Sequence, residues 1–139
     1  MSADREPLTL ETYELVLLRR TRRAKEFDEE TIERIFGEHL AYTTGMVNSG
    51  QQLAAGPVRD SPAEEEHIYG MDLFQQGSLD KVRELANADP GVRQGLYRVE
   101  VMTWQTPAGR ITFPGPPAPA KVAGYTDPDG SMRGNAEGA

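Results

Sequence analysis

From Thr12 the stretch "TYELVLLRRT" alternates, with Tyr13, Leu15 and Leu17 on one side and Glu14, Val16 and Leu18 on the other. That period of two predicts a strand packed in part on both faces. Beyond a basic run the period becomes helical. Asp28 offers an N-cap, Glu29 and Glu30 suit the positive end of a helix dipole, and Ile32, Ile35, Phe36, Tyr42, Thr43 and Met46 recur at helical spacing up to a stop near Gly50. His39 follows Ile32 by seven residues and Phe36 by three, so it falls on the buried stripe of this helix rather than its polar face.

The pattern then returns to strands. "QQLAAGPV" reads as a short strand ended by Gly56-Pro57, because proline has no N–H for a ladder. "RDSPAEEE" is a polar turn, and "HIYGMDLFQQG" resumes strand-like content. Ser78 opens a second helix with Leu79, Val82, Leu85 and Ala86 on one side, and Asp89-Pro90 ends it. After Gly95, "LYRVEVMTWQT" sets Leu96, Arg98, Glu100, Met102 and Trp104 against Tyr97, Val99, Val101 and Thr103, a final strand with one core face.

The predicted order is β-α-β-β-α-β, an α+β ferredoxin-like unit with two helices on one face of a four-stranded antiparallel sheet. The uncovered sheet face calls for a partner, and a second copy across a two-fold axis is the expected one. Residues 1–11 read as a leader, 12–106 as the folded domain, and 107–139 as a Pro/Gly-rich tail without periodicity. Within that tail, Arg110 to Phe113 is a candidate for a short added strand or an arm across the dimer.

Composition narrows the function. With 139 residues, 37% hydrophobic and 27% charged, the chain fits one small domain. Its net charge of −7 resides in the first 106 residues, since residues 107–139 hold three groups of each sign. An acidic domain repels phosphate backbones, which argues against a nucleic-acid partner. "RRTRRAK", Arg19 to Lys25, is the local exception: a solvated strand end, or an anion-binding rim at a pocket mouth. No run approaches the roughly 20 apolar residues of a membrane span, and the start lacks a signal-peptide pattern, so a cytoplasmic protein is expected. The absence of cysteine excludes thiolate chemistry and disulfides, and two histidines leave little for a metal site; neither metal nor cofactor is expected.

The chemistry must then rest on oxygen and imidazole. His39 on an apolar helical face is either a satisfied core residue or, beside a carboxylate, an acid–base group that works near neutral pH. Asp89 is the candidate carboxylate, and it too has a plainer role: in "NADPGVRQG" an Asp before Pro can cap a short turn. Spacing alone does not join the two, although the layout places both helices on one sheet face. His67, after "AEEE", reads as an exposed or strand-edge residue.

"HLAYTTGMVNSGQQLAAGP" followed by "LANADPGVRQGLYRVEVMTW" resembles the YCII-like family over roughly residues 12–106. The resemblance rests on a helix carrying His-Leu, a later Ala-Gly-Pro turn, a second helix ending in Ala-Asp-Pro, and a Gly-hydrophobic-Tyr step before the final strand. It implies the dimeric α/β-barrel form of the ferredoxin-like fold, and a His–Asp pair in a cleft between helices and sheet, carried here by His39 and Asp89. A relative acts as a dehydrochlorinase on a chlorinated hydroxyquinol, and the wider superfamily includes muconolactone isomerases, polyketide cyclases and cofactor-free oxygenases. The long basic loop after the first strand and the Pro/Gly tail depart from the family pattern.

With the resemblance, the expected function is a cofactor-independent lyase, isomerase or cyclase acting on a small cyclic or aromatic, enolisable molecule. Asp89 would orient the ring of His39 and stabilise its imidazolium while His39 moves protons. Tyr13, Arg19, Tyr97 and Trp104 are candidates to line the pocket or hold an oxyanion, against plain core or dimer packing for the aromatics. Gly56 and Pro57 are expected as a shaped turn beside it. The alternative is a non-catalytic module binding a small molecule in the same cleft; a nucleic-acid adaptor using Arg19 to Lys25 would need salt-sensitive binding that the acidic total disfavours.

Overall fold

The computed structural model describes residues 7–113. Four strands form one sheet: β1 Leu10–Arg20, β2 Ala54–Pro57, β3 Ile68–Phe74 and β4 Tyr97–Pro107. Their order across the sheet is β2-β3-β1-β4, and every pairing is antiparallel. Helices α1 (Glu29–Asn48) and α2 (Leu79–Asn87) lie on one face, joined by a single-turn helix α3 (Pro90–Arg93). This is the ferredoxin-like arrangement, with α3 added between α2 and β4.

Local chemistry accounts for the element ends. The Asp28 side chain accepts from Thr31 N–H at the start of α1, and Ser78 from Lys81 N–H at the start of α2. Gly50 follows α1 at φ 84°, a left-handed turn that residues with a Cβ rarely adopt. The basic loop after β1 folds into a 3₁₀ turn, Arg22–Glu26, capped by the Thr21 side chain.

Strand alternation decides which side chains meet the helices. Val16 and Leu18 of β1 pair with Val101 and Val99 of β4, and with Asp72 and Gly70 of β3. These positions face the helices. The core there joins Val16 and Leu18 to Ile35, Phe36, Met46, Tyr69, Phe74, Val82, Ala86, Leu96 and Tyr97. Burial of such a continuous apolar cluster is the dominant favourable term in folding. The β1–β3 register slips between Leu18 and Arg19, which leaves Tyr69 out of the ladder. This bulge turns the Tyr69 ring towards the helices, where it stacks on Tyr97 at 4.7 Å and meets Phe36 edge-on at 6.2 Å.

Leu15, Leu17, Met71, Leu73 and Met102 occupy the other sheet face, which no described helix covers. Tyr13 is nonetheless 2% exposed, because Trp104 and Phe113 cover its ring at 5.8 and 6.0 Å. Arg110–Phe113, the candidate for a short strand or an arm, forms no strand. A turn with Gly109 at φ 82° brings the chain back instead, so Phe113 serves as a cover for Tyr13 rather than as a ladder residue.

Two boundaries move. Leu10 and Glu11, expected in the leader, belong to β1 through pairing with Pro107 and Thr106. β2 opens at Ala54 rather than Gln51, while Pro57 ends it and pairs with Gly70; proline is tolerated there because β2 is an edge strand whose outer side has no ladder to feed. The leader before Pro7 and the tail after Phe113 lie outside the described residues.

Candidate active site

His39 occupies the middle of α1 on the face turned to the sheet and is 6% exposed. Its Nδ1 lies 2.6 Å from Oδ2 of Asp89, which is 4% exposed. The other carboxylate oxygen of Asp89, Oδ1, accepts from Gly91 N–H at 2.8 Å. Both readings of Asp89 therefore hold at once: it caps α3, with Pro90 at the first helical position, and it fixes the imidazole. Because Nδ1 is engaged, Nε2 is the ring nitrogen left for a molecule beside it.

Several contacts fix this geometry. The His39 ring packs 5.0 Å from Tyr97 and 6.0 Å from Phe36. Tyr42, one turn along α1, donates to the Leu85 carbonyl at 2.7 Å and so ties α1 to α2 just before the Asp89 turn. Burial raises the pKa of that phenol and the Asp89 charge raises it further. Gly91 lets α3 approach: a Cβ there would lie 2.8 Å from the Tyr97 ring and 3.2 Å from the Cβ of His39.

A cavity of about 190 Å³ opens between α1, β2 and β3. His39, Thr43, Thr44 and Asn48 wall it on the helix side; Gly56 and Pro57 bound it at the sheet edge; Leu18, Tyr69 and Asp72 form its floor. Gly56 and Pro57 thus share this cavity with His39, as residues of strand β2 rather than of a turn. Tyr97 supports the imidazole from behind without being a lining residue.

Tyr13, Arg19 and Trp104 are not in this cavity. Alternation along β1 and β4 sends them to the opposite face of the sheet, where Tyr13 packs on Trp104. Arg19 is held by Glu100 at 3.1 Å, Glu64 at 3.2 Å and the Glu66 carbonyl at 2.9 Å. Within the basic run, Arg19 and Arg22 are taken up by the "AEEE" run rather than turned to the cavity. Arg22 pairs with Glu65 and its N–H reaches Glu66, which also accepts from Arg98 at 2.7 Å. Arg98 first, then the Arg22 N–H, holds the Glu66 carboxyl below its ordinary range.

The model of the YCII-related domain matches residues 14–105. The chain belongs to the YCII-related family. Among solved structures it is similar to a 5-chloro-2-hydroxyhydroquinone dehydrochlorinase from Burkholderia phenoliruptrix, held in complex with 2,5-dihydroxybenzoquinone. That match has 16% identity and a TM-score of 0.48, and covers 66% of this chain and 92% of the other. Comparison with curated proteins finds no match.

One lining residue of this YCII-related chain escapes the sequence reading. Asp72 lies on the helix-facing side of β3, paired with Val16 and Ala55, half-buried in the wall of the cavity. The signal was its alternation with Met71 and Leu73. Burial raises its pKa from 3.8 to about 7; the charge of His39 opposes that rise, the Asp89 charge adds to it, and a hydrogen bond with Gln52 opposes it. One imidazole cannot compensate both carboxylates, and Asp89, the more deeply buried, has the better hydrogen bonds. Among the described residues no group of three or more His, Cys, Asp or Glu is placed to hold a metal ion, and no helix is long and apolar enough to cross a membrane.

Two consequences can be measured. Gly91→Ala should cost about 1–3 kcal/mol by overpacking against the Tyr97 ring, seen as a lower denaturant midpoint at unchanged slope. Asp72 holds its proton in the native state up to about pH 7, whereas the unfolded chain loses it near 3.8. Its contribution is therefore fully present below about pH 4 and is lost as pH rises towards about 7. Relative to Asp72→Asn, the wild type should lose stability between about pH 4 and about pH 7 in guanidinium unfolding; parallel pH profiles would refute the assignment.

Proposed function

We propose that this protein is a cofactor-independent acid–base enzyme of the lyase, isomerase or cyclase type, acting on a small cyclic or aromatic, enolisable molecule through His39 and Asp89. The observation that carries the reading is the 2.6 Å contact between His39 Nδ1 and Asp89 Oδ2 at the edge of a cavity of about 190 Å³. Acid–base catalysis needs a base within reach of the substrate and a group that fixes its tautomer. A cavity of about 150 Å³ accommodates benzene, so this one suits a single-ring molecule.

In this reading each residue has a task. Asp89, itself fixed by the Gly91 N–H, holds the proton on Nδ1 and stabilises the imidazolium that forms when Nε2 takes a proton from carbon or a phenol. Nε2 then returns the proton elsewhere on the ring. Thr43, Thr44 and Asn48 supply neutral hydrogen bonding along the helix wall. Elimination, isomerisation and cyclisation all fit this proton traffic.

We also propose that two copies pair through the open sheet face. Leu15, Leu17, Leu73 and Met102 form its apolar centre, Met71 is 45% exposed, and the Arg19, Arg98 and Glu100 ion pairs border it. Apolar sheet surface of this kind is ordinarily covered. Met71→Glu should halve the mass in sedimentation with the helical signal retained; a wild type that sediments as one chain would sink the pairing.

The catalytic reading is tested by hydrogen exchange into enolisable single-ring ketones and lactones in heavy water, followed by NMR. His39→Ala should lower exchange by about 10²–10⁴-fold with the fold intact. Asp89→Asn sets an N–H donor against Nδ1 and forces the wrong tautomer, a change that costs about 10⁴ in serine proteases. If neither substitution alters turnover of any accepted ring compound, the dyad is not the catalyst, and retained binding without conversion would instead favour a ligand-binding module.

A further inference from the structure

The cavity presents an unusual set of charges. Its lining contains no Lys or Arg, yet it holds His39 and Asp72, with Asp89 directly behind His39. Three arginines that follow the lining residue Leu18 are engaged elsewhere: Arg19 and Arg22 are paired with glutamates, and the Arg20 guanidinium lies over the rings of Tyr69 and Tyr97. An anion entering this cavity would meet no Lys or Arg in the lining, only an imidazole backed by the Asp89 carboxylate and a second carboxyl. Its desolvation would go uncompensated.

We propose that Asp72 is a specificity-determining residue that donates a hydrogen bond to a carbonyl or hydroxyl oxygen of the ligand, so that the cavity takes uncharged single-ring compounds and rejects their carboxylate analogues. This rests on the reading of the cavity as the substrate site and adds a second polar anchor to it. His39 reaches the ligand from α1, and Asp72 from β3 on the cavity floor. The donor role needs the protonated acid, which burial favours up to about pH 7. Ligand binding is therefore tied to the Asp72 proton.

The groups around Asp72 define that dependence. From α1 it faces His39, and from the N-cap of α3 the charge of Asp89. From β1 and β2 its register partners are Val16 and Ala55, both uncharged. Glu14, on the same face of β1, accepts from Gln76 N–H at 2.7 Å. Gln52, 3% exposed, supplies the amide that bonds Asp72. On its own strand Tyr69 shares the cavity floor. An asparagine at position 72 keeps an N–H donor at every pH and removes the titration.

Benzamide and benzoate, nearly isosteric and differing in charge, provide the test, with binding read from NMR shifts of cavity amides such as Ala55, Gly56 and Gly70. Wild type should bind benzamide below pH ~7 and weaken by about tenfold or more above it, and should bind benzoate at least about tenfold more weakly at low pH. Asp72→Asn should bind benzamide with that pH dependence gone. Benzamide binding that ignores pH in the wild type, benzoate binding as tight as benzamide, or an unchanged pH profile in Asp72→Asn overturns the assignment of Asp72 and leaves the cavity as a ligand site. No cavity shifts with either compound, in either variant, overturn both.

Discussion

The Asp89 carboxylate is shared between a backbone N–H and an imidazole, and the arrangement of the site follows from that division. Oδ1 takes the Gly91 N–H and starts α3; Oδ2 takes His39 Nδ1 and joins that turn to the middle of α1. A buried carboxylate with only one of these partners would be expensive, since breaking a buried pair costs about 3–5 kcal/mol. With both, the charge is tolerated and the ring has one orientation. The same turn demands a glycine at position 91, because the close approach that makes the contact leaves no room for a Cβ against Tyr97.

Much of this was legible. The helical stripe placed His39 on the buried side of α1, the Asp28 and Ser78 caps marked two helix starts, and the order of elements gave the ferredoxin-like sheet. Asp89 as a cap before proline was a local inference from three residues. Its contact with His39 was not, because residues fifty apart meet only through the packing of α1 on α3. The family resemblance suggested that meeting; periodicity had no means to.

The errors of reading have physical sources too. Tyr13, Arg19 and Trp104 were drawn towards the pocket for their chemistry, although alternation already set Tyr13 and Arg19 on the side of β1 opposite Val16 and Leu18. Asp72 carries little local signal, since in "HIYGMDLFQQG" the strand's faces are fixed only by its pairing with β1 and β2. The bulge that re-aims Tyr69 depends on the pairing of two distant strands, and no local pattern encodes a register. The two charge runs, "RRTRRAK" and "AEEE", were each legible as solvated segments, while their neutralisation of one another required the sheet to bring residues 19 and 22 beside residues 64–66.

That neutralisation bears on the chemistry. With Arg19 and Arg22 committed to glutamates, Arg20 lying over the rings of Tyr69 and Tyr97 and Arg23 over that of Phe27, the cavity lining keeps only the charges of its own acid–base groups. An imidazole balanced by Asp89 and a carboxyl held near neutrality by burial make a site whose net charge stays small while protons move within it. In a low-dielectric cavity this matters more than the strength of any single group, because a proton passed between ring positions of a bound molecule creates no lasting unpaired charge. The same balance that makes an anionic ligand a poor guest makes a neutral, enolisable one a suitable substrate.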